Sequence, residues 1–391
     1  MALPALRQRS APRRLHVAVI GAGAFGGWTA LNLLRSGARV TLVDAWGAGN
    51  SRASSGGETR VIRGTYGADR VYVEMARRAI ALWQENETRW GRKLYHRTGA
   101  IWLVGSDETF VRASLPLLRD AGFAFEELTA GAAAARYPQV SFEDVRWVLY
   151  EREAGYLTAR IACQMVVEAF LAEGGSYREL TVQPGPIAGG EMGPATFPDG
   201  TRLMADRYVF ACGPWLGRLF PGLVPVRPTR QEVFFFGTPP GESRFREDRM
   251  PVWVDYKCAG PAVVYGIPGN QGRGFKVADD TRGPAFDPTT GDRLATKEGA
   301  DWVRGFVARR FPALKDAPIL ESRVCQYEET PDEHFILDRH PNAANAWLAG
   351  GGSGHGFKHG PALGERMARM VMEETVIDPF FALARFAHEP R

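Results

Sequence analysis

The segment that most constrains the fold is a predicted βαβ unit at residues 15–45, LHVAVIGAGAFGGWTALNLLRSGARVTLVDA. A continuous apolar run leads into a glycine-rich turn, a helical pattern and a second apolar run. Gly21, Gly23 and Gly26 form GxGxxG: the first glycine makes the turn, the second lets a pyrophosphate approach the backbone, and the third lets the helix pack on the sheet. With Asp44 placed to accept hydrogen bonds from a ribose diol, the unit predicts a dinucleotide site. A glycine-rich turn without a ligand is the alternative.

A second glycine-rich loop, GGGSGHGFKHGPALGERMA at 350–368, bears on the choice between FAD and NAD, which the first motif leaves open. It also follows an apolar strand and leads into a helix, so it offers another positive helix end. In a flavoprotein, that end can lie beside the pyrimidine edge of the ring, where negative charge gathers on reduction. A nicotinamide enzyme has no evident need for such a loop, so the sequence favours FAD.

Length and charge limit the class of protein. With 391 residues, the chain fits two joined domains and can bury a large ligand. Its 48 basic and 44 acidic residues give a net charge of +4 without basic runs, which argues against a nucleic-acid partner. No apolar stretch approaches the length of a membrane span, so we expect no membrane partner.

The order of predicted elements indicates an α/β fold, in which a Rossmann-like nucleotide-binding domain is interrupted by a second domain. Short strands with Gly and Pro breaks between about 228 and 280 are typical of an antiparallel sheet. The stretch KLYHRTGAIWLVG at 93–105 predicts a pair of strands. We expect a discontinuous nucleotide domain that comprises residues 15–94, 151–227 and 326–391. A mainly antiparallel substrate domain would comprise residues 95–150 and 228–325.

The amino-terminal segment and the cysteines bear on location. Residues 1–14, MALPALRQRSAPRR, lack the apolar centre of a signal peptide and predict a flexible tail on a cytoplasmic protein. The cysteines have neither CxxC nor disulfide-framework spacing, which predicts free thiols in a reducing compartment and no metal site; they are Cys163, Cys212, Cys258 and Cys325.

The lone Cys325, in VCQYEETPDEHF, is the least determined of the four. From the residues alone, the commonest role of such a cysteine is that of a small buried hydrophobe. The spacing argues against a metal ligand or a disulfide partner, whereas a nucleophile and a covalent tether remain open.

Five further motifs occur in a fixed order after the βαβ unit. Together they resemble the monomeric sarcosine oxidase and N-methyltryptophan oxidase branch of the D-amino-acid-oxidase-like flavoproteins, over nearly the whole chain from about residue 15. These motifs are SSGGETRVIRGTYG at 54–67, ACGPW at 211–215, GRGFK at 272–276, VCQYEETPDEHFILDRHP at 324–341 and GSGHGFKHG at 352–360.

The resemblance implies an FAD-dependent oxidase of a secondary amino acid. Hydride transfer to the flavin would give an imine that water hydrolyses, and O2 would be reduced to H2O2. A small amino acid and O2 are then the partners, and the family leans towards a monomer.

The resemblance also implies roles for single residues. Cys325 matches the cysteine that carries FAD through an 8α-S-cysteinyl thioether. Arg63 and Lys358 match the pair that binds the substrate carboxylate, to which arginine offers a rigid fork and lysine a point charge. Lys276 matches the lysine that promotes the reaction with O2 by lowering the cost of forming superoxide. Arg60 matches an arginine beside the flavin ring. Without the resemblance, Arg63 would be taken for a solvated or ion-paired residue and Lys276 for an exposed lysine of a strand.

Two tyrosines and several further positions complete the implied site. Tyr265 and Tyr327 match tyrosines of the substrate pocket, although tyrosines in apolar strands are more often core residues. The other residues expected to contact FAD, besides Gly21, Gly23, Gly26, Asp44 and Cys325, are Thr59, Arg60, Val182, Trp215, Gly354, Gly356, Phe357 and Lys358.

The chain departs from the family pattern at three positions. Ser55 and Gly56 stand where the sarcosine oxidases carry a histidine pair, and Asp280 stands where they have a pocket histidine. Replacing imidazoles by small or acidic groups changes the shape and charge of the pocket, so the substrate need not be sarcosine.

Three alternatives stay open at this point. A cyclic imino-acid or primary amino-acid oxidase or dehydrogenase would use the same fold. An NAD-dependent dehydrogenase is allowed by Asp44 and GxGxxG alone. A flavin-binding subunit without activity of its own is the alternative outside the enzymes, although such a subunit would have no reason to assemble a carboxylate clamp and an oxygen site.

Overall fold

The computed structural model describes residues 14–258, 260–373 and 375–387. The predicted flexible tail, residues 1–14, lies outside the described residues except for Arg14. The helices within the described residues are α1 Ala24–Arg35, α2 Arg70–Trp90, α3 Thr109–Asp120, α4 Ala130–Arg136, α5 Ala159–Ala172, α6 Leu216–Leu219, α7 Lys297–Arg310 and α8 Gly360–Glu373.

The strands of the same described residues are, in chain order, β1 His16–Ile20, β2 Arg39–Asp44, β3 Thr59–Ile62, β4 Tyr95–His96, β5 Ala100–Val104, β6 Phe125–Thr129, β7 Trp147–Glu151, β8 Gly155–Thr158, β9 Ser176–Glu179, β10 Ile187–Ala188, β11 Glu191–Met192, β12 Ala195–Thr196, β13 Arg202–Leu203, β14 Arg207–Phe210, β15 Arg227–Phe236, β16 Val252–Tyr256, β17 Val263–Ile267, β18 Phe275–Asp279, β19 Ile319–Glu329, β20 Ile336–Arg339 and β21 Ala346–Gly350.

A six-stranded sheet in the order β20-β21-β14-β1-β2-β9 forms the first layer. Its strands are parallel except β20, which runs antiparallel to β21. All five residues of β1 are buried, because helices and loops cover both faces of the sheet. The predicted α/β arrangement is confirmed, with the carboxyl ends of β1, β2, β14 and β21 at one edge.

Helix α1 leads from that edge and packs against α8 and α5. The contact with α8 is a close one, since a Cβ on Gly364 would lie 2.6 Å from the main-chain carbon of Trp28. Because α8 begins just after the second glycine loop, this packing holds the two glycine-rich loops side by side.

The second layer is an eight-stranded sheet in the order β19-β15-β18-β17-β16-β5-β7-β6. All its strand pairs are antiparallel except β16 and β5, which confirms a mainly antiparallel sheet. Helix α7 covers one face, where Phe306 stacks on Trp253. A buried ion pair of 2.8 Å between Arg310 and Asp255 ties the end of α7 to β16.

The strands predicted as a pair at 93–105 do not pair with each other, so that prediction is wrong. β4 joins a three-stranded sheet in the order β3-β8-β4, whereas β5 lies between β16 and β7 of the large sheet. Gly99, with φ of +77°, turns the chain from one sheet to the other. Alternating apolar residues mark strands, but they do not identify the partner of each strand.

Strand β19 runs without a break from Ile319 to Glu329 and pairs with β15 over most of its length. The domain boundary predicted at 325/326 falls inside this strand. The division into domains stays a prediction.

Candidate functional site

A cavity of about 570 Å³ opens at the carboxyl edge of the parallel sheet. We call it the glycine-loop cavity; the residues lining it include Gly21, Gly23, Asp44, Val182, Trp215, Glu328, Gly352, Gly354, Gly356 and Phe357. Its volume is within the roughly 300–1,000 Å³ of typical ligand pockets. Both glycine-rich segments of the sequence therefore meet in one place.

The first glycine loop leaves no space for side chains where the helix meets the strand. A Cβ on Gly26 would lie 1.8 Å from the carbonyl oxygen of Gly21, and Gly21 itself has φ of +105°. Gly23 caps α1 without a side-chain hydrogen bond, and it lines the cavity. Ala24 and Phe25 line it as well, so the positive end of α1 lies at the cavity, as a diphosphate requires.

Asp44 ends β2 at the same edge. Its Oδ2 accepts a hydrogen bond from the Ala22 amide at 2.7 Å, and its Oδ1 accepts one from the Trp46 amide at 2.9 Å. Burial raises the pKa of Asp44, and these backbone hydrogen bonds oppose that rise. The carboxylate is fixed in the wall of the cavity, where a ribose hydroxyl would meet an acceptor.

The second glycine loop forms the opposite wall. A Cβ on Gly354 would lie 2.7 Å from the ring of Tyr327, and one on Gly356 would lie 2.8 Å from the ring of Phe25. Since Gly354 also has φ of +77°, this wall is made of main chain that no other residue type could replace without strain.

A second cavity, of about 700 Å³, lies between the eight-stranded sheet and the second glycine loop. We call it the aromatic cavity; the residues lining it include Arg63, Tyr66, Tyr72, Trp102, Phe110, Tyr256, Tyr265, Asp280, Tyr327 and Lys358. The two cavities adjoin, because Arg60, Tyr327, Gly354 and Phe357 line both of them.

Arg63 is held in the aromatic cavity by rings and by the backbone. Its guanidinium donates to the carbonyl of Thr65. The guanidinium carbon lies 4.5 Å from the centroid of the Tyr66 ring and 4.9 Å from that of Trp102. These cation–π contacts orient the fork while leaving it without a carboxylate partner among the described residues.

Lys358 lies beside Arg63, and only 4% of it is exposed. Its ammonium donates to the Tyr66 hydroxyl and to the His355 carbonyl, each at 2.6 Å. Burial, together with the charge of Arg63, holds the pKa of Lys358 well below its usual value. The predicted pair is brought together at one end of the cavity.

Tyr66 is a site residue that the sequence analysis missed. Besides its contact with Lys358, its hydroxyl lies 2.7 Å from Nε2 of His359, and burial raises its pKa. Its position three residues after Arg63 in the motif at 54–67 was the available signal. His355 contacts the Glu333 carbonyl through Nε2 at 3.0 Å, which fixes the second glycine loop.

Tyr265, Tyr327 and Asp280 line the other side of the aromatic cavity. The Tyr327 hydroxyl donates to Asp280 Oδ1 at 2.6 Å. Burial raises the pKa of Asp280, although Tyr327 and the charges of Arg63 and Lys358 oppose that rise. Burial also raises the pKa of Tyr265 to about 12.

Thr59, Lys276 and Cys325 lie behind Arg60 and line neither cavity. The Thr59 carbonyl accepts hydrogen bonds from Lys276 Nζ at 2.9 Å and from Arg60 Nη1 at 3.0 Å. Arg60 Nη2 approaches Cys325 Sγ at 3.4 Å. Lys276 is 2% exposed, and burial, with the charge of Arg60 next, lowers its pKa to about 7. Arg60 is the only member of this cluster that reaches both cavities.

Glu328 is a second residue that the sequence analysis missed. It lines the glycine-loop cavity, and its buried Oε2 has no hydrogen-bond partner among the described residues. Burial raises its pKa to about 7. An acidic residue directly after Tyr327, in the middle of a motif, was the signal in the sequence. An unpaired buried carboxyl in a cavity wall fits a ligand that carries hydroxyl or NH donors.

The family histidine positions are filled in a way that suits this backbone. Ser55 Oγ accepts a hydrogen bond from the Ala24 amide at the start of α1, at 3.1 Å. A Cβ on Gly56 would lie 1.8 Å from the Asn50 carbonyl, so no side chain fits there.

These residues fit a bound FAD: main-chain walls for a diphosphate, Asp44 for a ribose and Glu328 for further donors. A sequence model described as FAD dependent oxidoreductase matches residues 16–370, and the chain belongs to this family. It is 29% identical to the monomeric sarcosine oxidase of Bacillus sp. (strain B-0618), over 91% of this chain and 92% of that protein. It is 27% identical to the N-methyl-L-tryptophan oxidase of Salmonella arizonae, over 94% of this chain and 96% of the relative.

Solved structures with the same fold include the L-proline dehydrogenase from P. horikoshii, with a TM-score of 0.82 and 21% identity over 96% of this chain and 99% of that one. The iminodiacetate oxidase from Chelativorans sp. BNC1 has a TM-score of 0.76 and 22% identity over 94% and 98% of the two chains. Within the described residues, no helix combines the length and apolarity that crossing a bilayer requires, and no His, Cys, Asp and Glu side chains group into a metal site.

Proposed function

We propose that this protein is an FAD-dependent oxidase of amino acids with a secondary amine, which produces an imine and H2O2. The observation that carries the proposal is the junction of the two cavities. A main-chain cavity that fits FAD adjoins a cavity that holds two cations, Arg63 and Lys358, and shares Arg60, Tyr327, Gly354 and Phe357 with it. The relatives named as sarcosine and N-methyl-L-tryptophan oxidases support the same reaction class.

Arg63 and Lys358 would bind the carboxylate of the substrate. Arginine presents two parallel N–H donors to a carboxylate, and lysine adds a compact charge. Burial disfavours the charged form of Lys358, so a carboxylate next to it restores its proton. The positive charges of Arg63 and Lys358 are therefore balanced only when an anionic substrate is bound.

FAD, when bound, takes two electrons from the substrate C–H bond next to nitrogen and passes them to O2. The chain contributes orientation: the carboxylate is fixed at one end of the aromatic cavity, and the substrate amine is then directed towards the shared wall. The rings of Tyr66, Trp102 and Tyr265 exclude water and favour the neutral amine, whose lone pair is needed to form the imine. Water hydrolyses the imine afterwards.

Lys276 would promote the reaction with O2. A buried cation lowers the cost of the negative charge that forms when O2 accepts the first electron. Lys276 is suited to this role because it is buried and is held by the Thr59 carbonyl directly behind Arg60. This role favours O2 over a quinone as the electron acceptor.

Cys325 would carry FAD as a thioether. Its thiol lies 3.4 Å from Nη2 of Arg60, a residue that lines both cavities. Acid-precipitated protein should then keep its yellow colour, whereas Cys325→Ala should release the flavin to the supernatant. Cys258→Ala, a cysteine lining neither cavity whose thiol contacts the Leu103 carbonyl at 3.2 Å, is the control and should keep the colour in the pellet. A colourless wild-type pellet would contradict the tether.

We also propose that the protein works in the cytoplasm as a monomer. The four cysteines are free, which suits a reducing compartment. Light scattering of the purified protein tests the monomer, and a mass twice that of the chain would contradict it.

The reaction class is tested by peroxide release in air from matched amines. Sarcosine and other N-methyl amino acids should give H2O2, whereas the corresponding amines without a carboxylate, such as dimethylamine, should not. Equal rates with and without the carboxylate would refute the role of Arg63 and Lys358.

A further inference from the structure

Asp280 is the acidic residue of the aromatic cavity that is free to bind a ligand. It follows β18, and its amide continues the ladder by donating to the Val263 carbonyl at 2.8 Å. Its side chain lines the cavity, and Oδ1 accepts the hydrogen bond from Tyr327. Oδ2 has no hydrogen-bond partner among the described residues, and Asp280 forms no ion pair with any of them.

The acidic residues next to Asp280 are already neutralised. Arg282 pairs with Glu329 at 2.9 Å and also with Glu333. Arg282 is therefore satisfied, although it is only two residues from Asp280. A cationic group on a ligand would therefore not have to compete with Arg282 for the Asp280 carboxylate.

The two remaining acidic residues that line the cavity, Asp332 and Asp69, also lie next to positive charge. Asp332 pairs with Arg385 at 2.6 Å. Asp69 occupies the position before the first residue of α2, where the positive end of the helix dipole favours an anion. Asp280 has no such ion pair among the described residues, and the partner of its carboxylate in a hydrogen bond is the neutral Tyr327 hydroxyl.

Asp280 lies next to the wall that the two cavities share, because Tyr327, which donates to it, lines both of them. The charges of Arg63 and Lys358 act on its carboxyl but neither forms an ion pair with it, so Oδ2 is left for a ligand. A cavity of about 700 Å³ also has room for more than a carboxylate and an N-methyl group.

The reacting amine itself is a poor partner for Asp280. A carboxylate would hold that amine as an ammonium ion, which has no lone pair with which to form the imine. The group that Asp280 binds must therefore be a second one on the same substrate.

We propose that Asp280 makes the enzyme prefer secondary amino acids whose side chain ends in a basic group, an ammonium or a guanidinium. This inference rests on the proposed function, since it assumes that the same cavity oxidises an amino acid held by Arg63 and Lys358.

Two substrates of nearly equal shape test it. Nα-methyl-lysine and Nα-methyl-norleucine, each as separate enantiomers, differ by the terminal ammonium group. The wild-type enzyme should favour the lysine compound in kcat/KM by about tenfold or more, as expected for a hydrogen-bonded charge pair. In Asp280→Asn, which keeps an acceptor for Tyr327, the ratio of kcat/KM for the lysine compound to that for the norleucine compound should fall about tenfold, through a rise in KM for the lysine compound.

Asp279→Asn is the matched control, because the neighbouring residue on β18 points to the opposite face. It should leave both substrates unchanged. Turnover of the norleucine compound without a preference for lysine, or an equal loss on both in Asp280→Asn, would overturn this inference alone. Failure of both compounds and of sarcosine to reduce the flavin would overturn the proposed function, and this inference with it.

Discussion

The glycine-loop cavity and the aromatic cavity adjoin, yet they are built in opposite ways. The first is walled by main chain at positions where a Cβ would collide, such as Gly21 and Gly356. The second is walled by charged and aromatic side chains that come from strands and loops throughout the chain, such as Arg63 and Lys358. Recognition of the cofactor thus depends on short local motifs, whereas recognition of the substrate depends on contacts between residues that are distant in sequence.

The largest effect is expected in the glycine-loop cavity. Gly26→Val would place a side chain on the Gly21 carbonyl, 1.8 Å from its Cβ, and should give protein without flavin and without activity. Gly305→Ala is the control: no atom lies within 4 Å of a Cβ at that position in α7, so the flavin content should be normal. The measurement is the ratio of flavin to protein absorbance, with circular dichroism to verify folding. Full flavin content in Gly26→Val would break the distinction between the two cavities.

A smaller loss is expected at the cationic end of the aromatic cavity. Arg63→Ala removes two hydrogen bonds to a charged group and should lower kcat/KM for N-methyl amino acids about 1,000-fold, with flavin content unchanged. Arg63→Lys, which keeps the charge but not the fork, should fall between wild type and Arg63→Ala. Steady-state kinetics measures both, and a loss of flavin in Arg63→Ala would show that the two cavities are not separable.

Lys276, behind the shared wall, should affect only one half-reaction. Lys276→Met should slow oxidation of the reduced flavin by O2 about 100-fold, while reduction by substrate changes little. Since the pKa of Lys276 is lowered to about 7, its cation is lost as pH rises. Flavin oxidation in the wild type should therefore slow as the pH rises through about 7. Stopped-flow mixing with O2 measures it, and an equal pH dependence in Lys276→Met would contradict this role.

The smallest effect is expected for the tyrosine that holds Lys358. Tyr66→Phe removes one hydrogen bond from the ammonium and should raise KM about fivefold with kcat nearly unchanged. Tyr137→Phe, remote from both cavities, is the control. A fall in kcat with unchanged KM would assign Tyr66 a role in the reaction itself.

How much could be predicted from the sequence differs between the two cavities in the same way. The βαβ unit, its three glycines and Asp44 were predictable because strand, turn and helix succeed one another within 31 residues of sequence. The roles of Arg63, Lys276, Lys358 and Cys325 came from motif resemblance and remain predictions.

Tyr66 and Glu328 were missed because their significance depends on distant partners. The Tyr66 hydroxyl meets His359 across 293 residues of sequence, and no periodicity reports such a contact. The pairing of β4 and β5 was wrong for the same reason, since each finds its partner strand elsewhere in the chain.

The most direct test of the central claim is anaerobic mixing of the purified yellow protein with secondary amino acids, while the visible absorbance of the oxidised flavin is followed. We expect rapid bleaching by compounds that carry a carboxylate, and return of the colour with peroxide release when air is admitted. If dithionite bleached the flavin and no amino acid did, the flavin would be competent and the proposed carboxylate-binding pair Arg63 and Lys358 would be wrong.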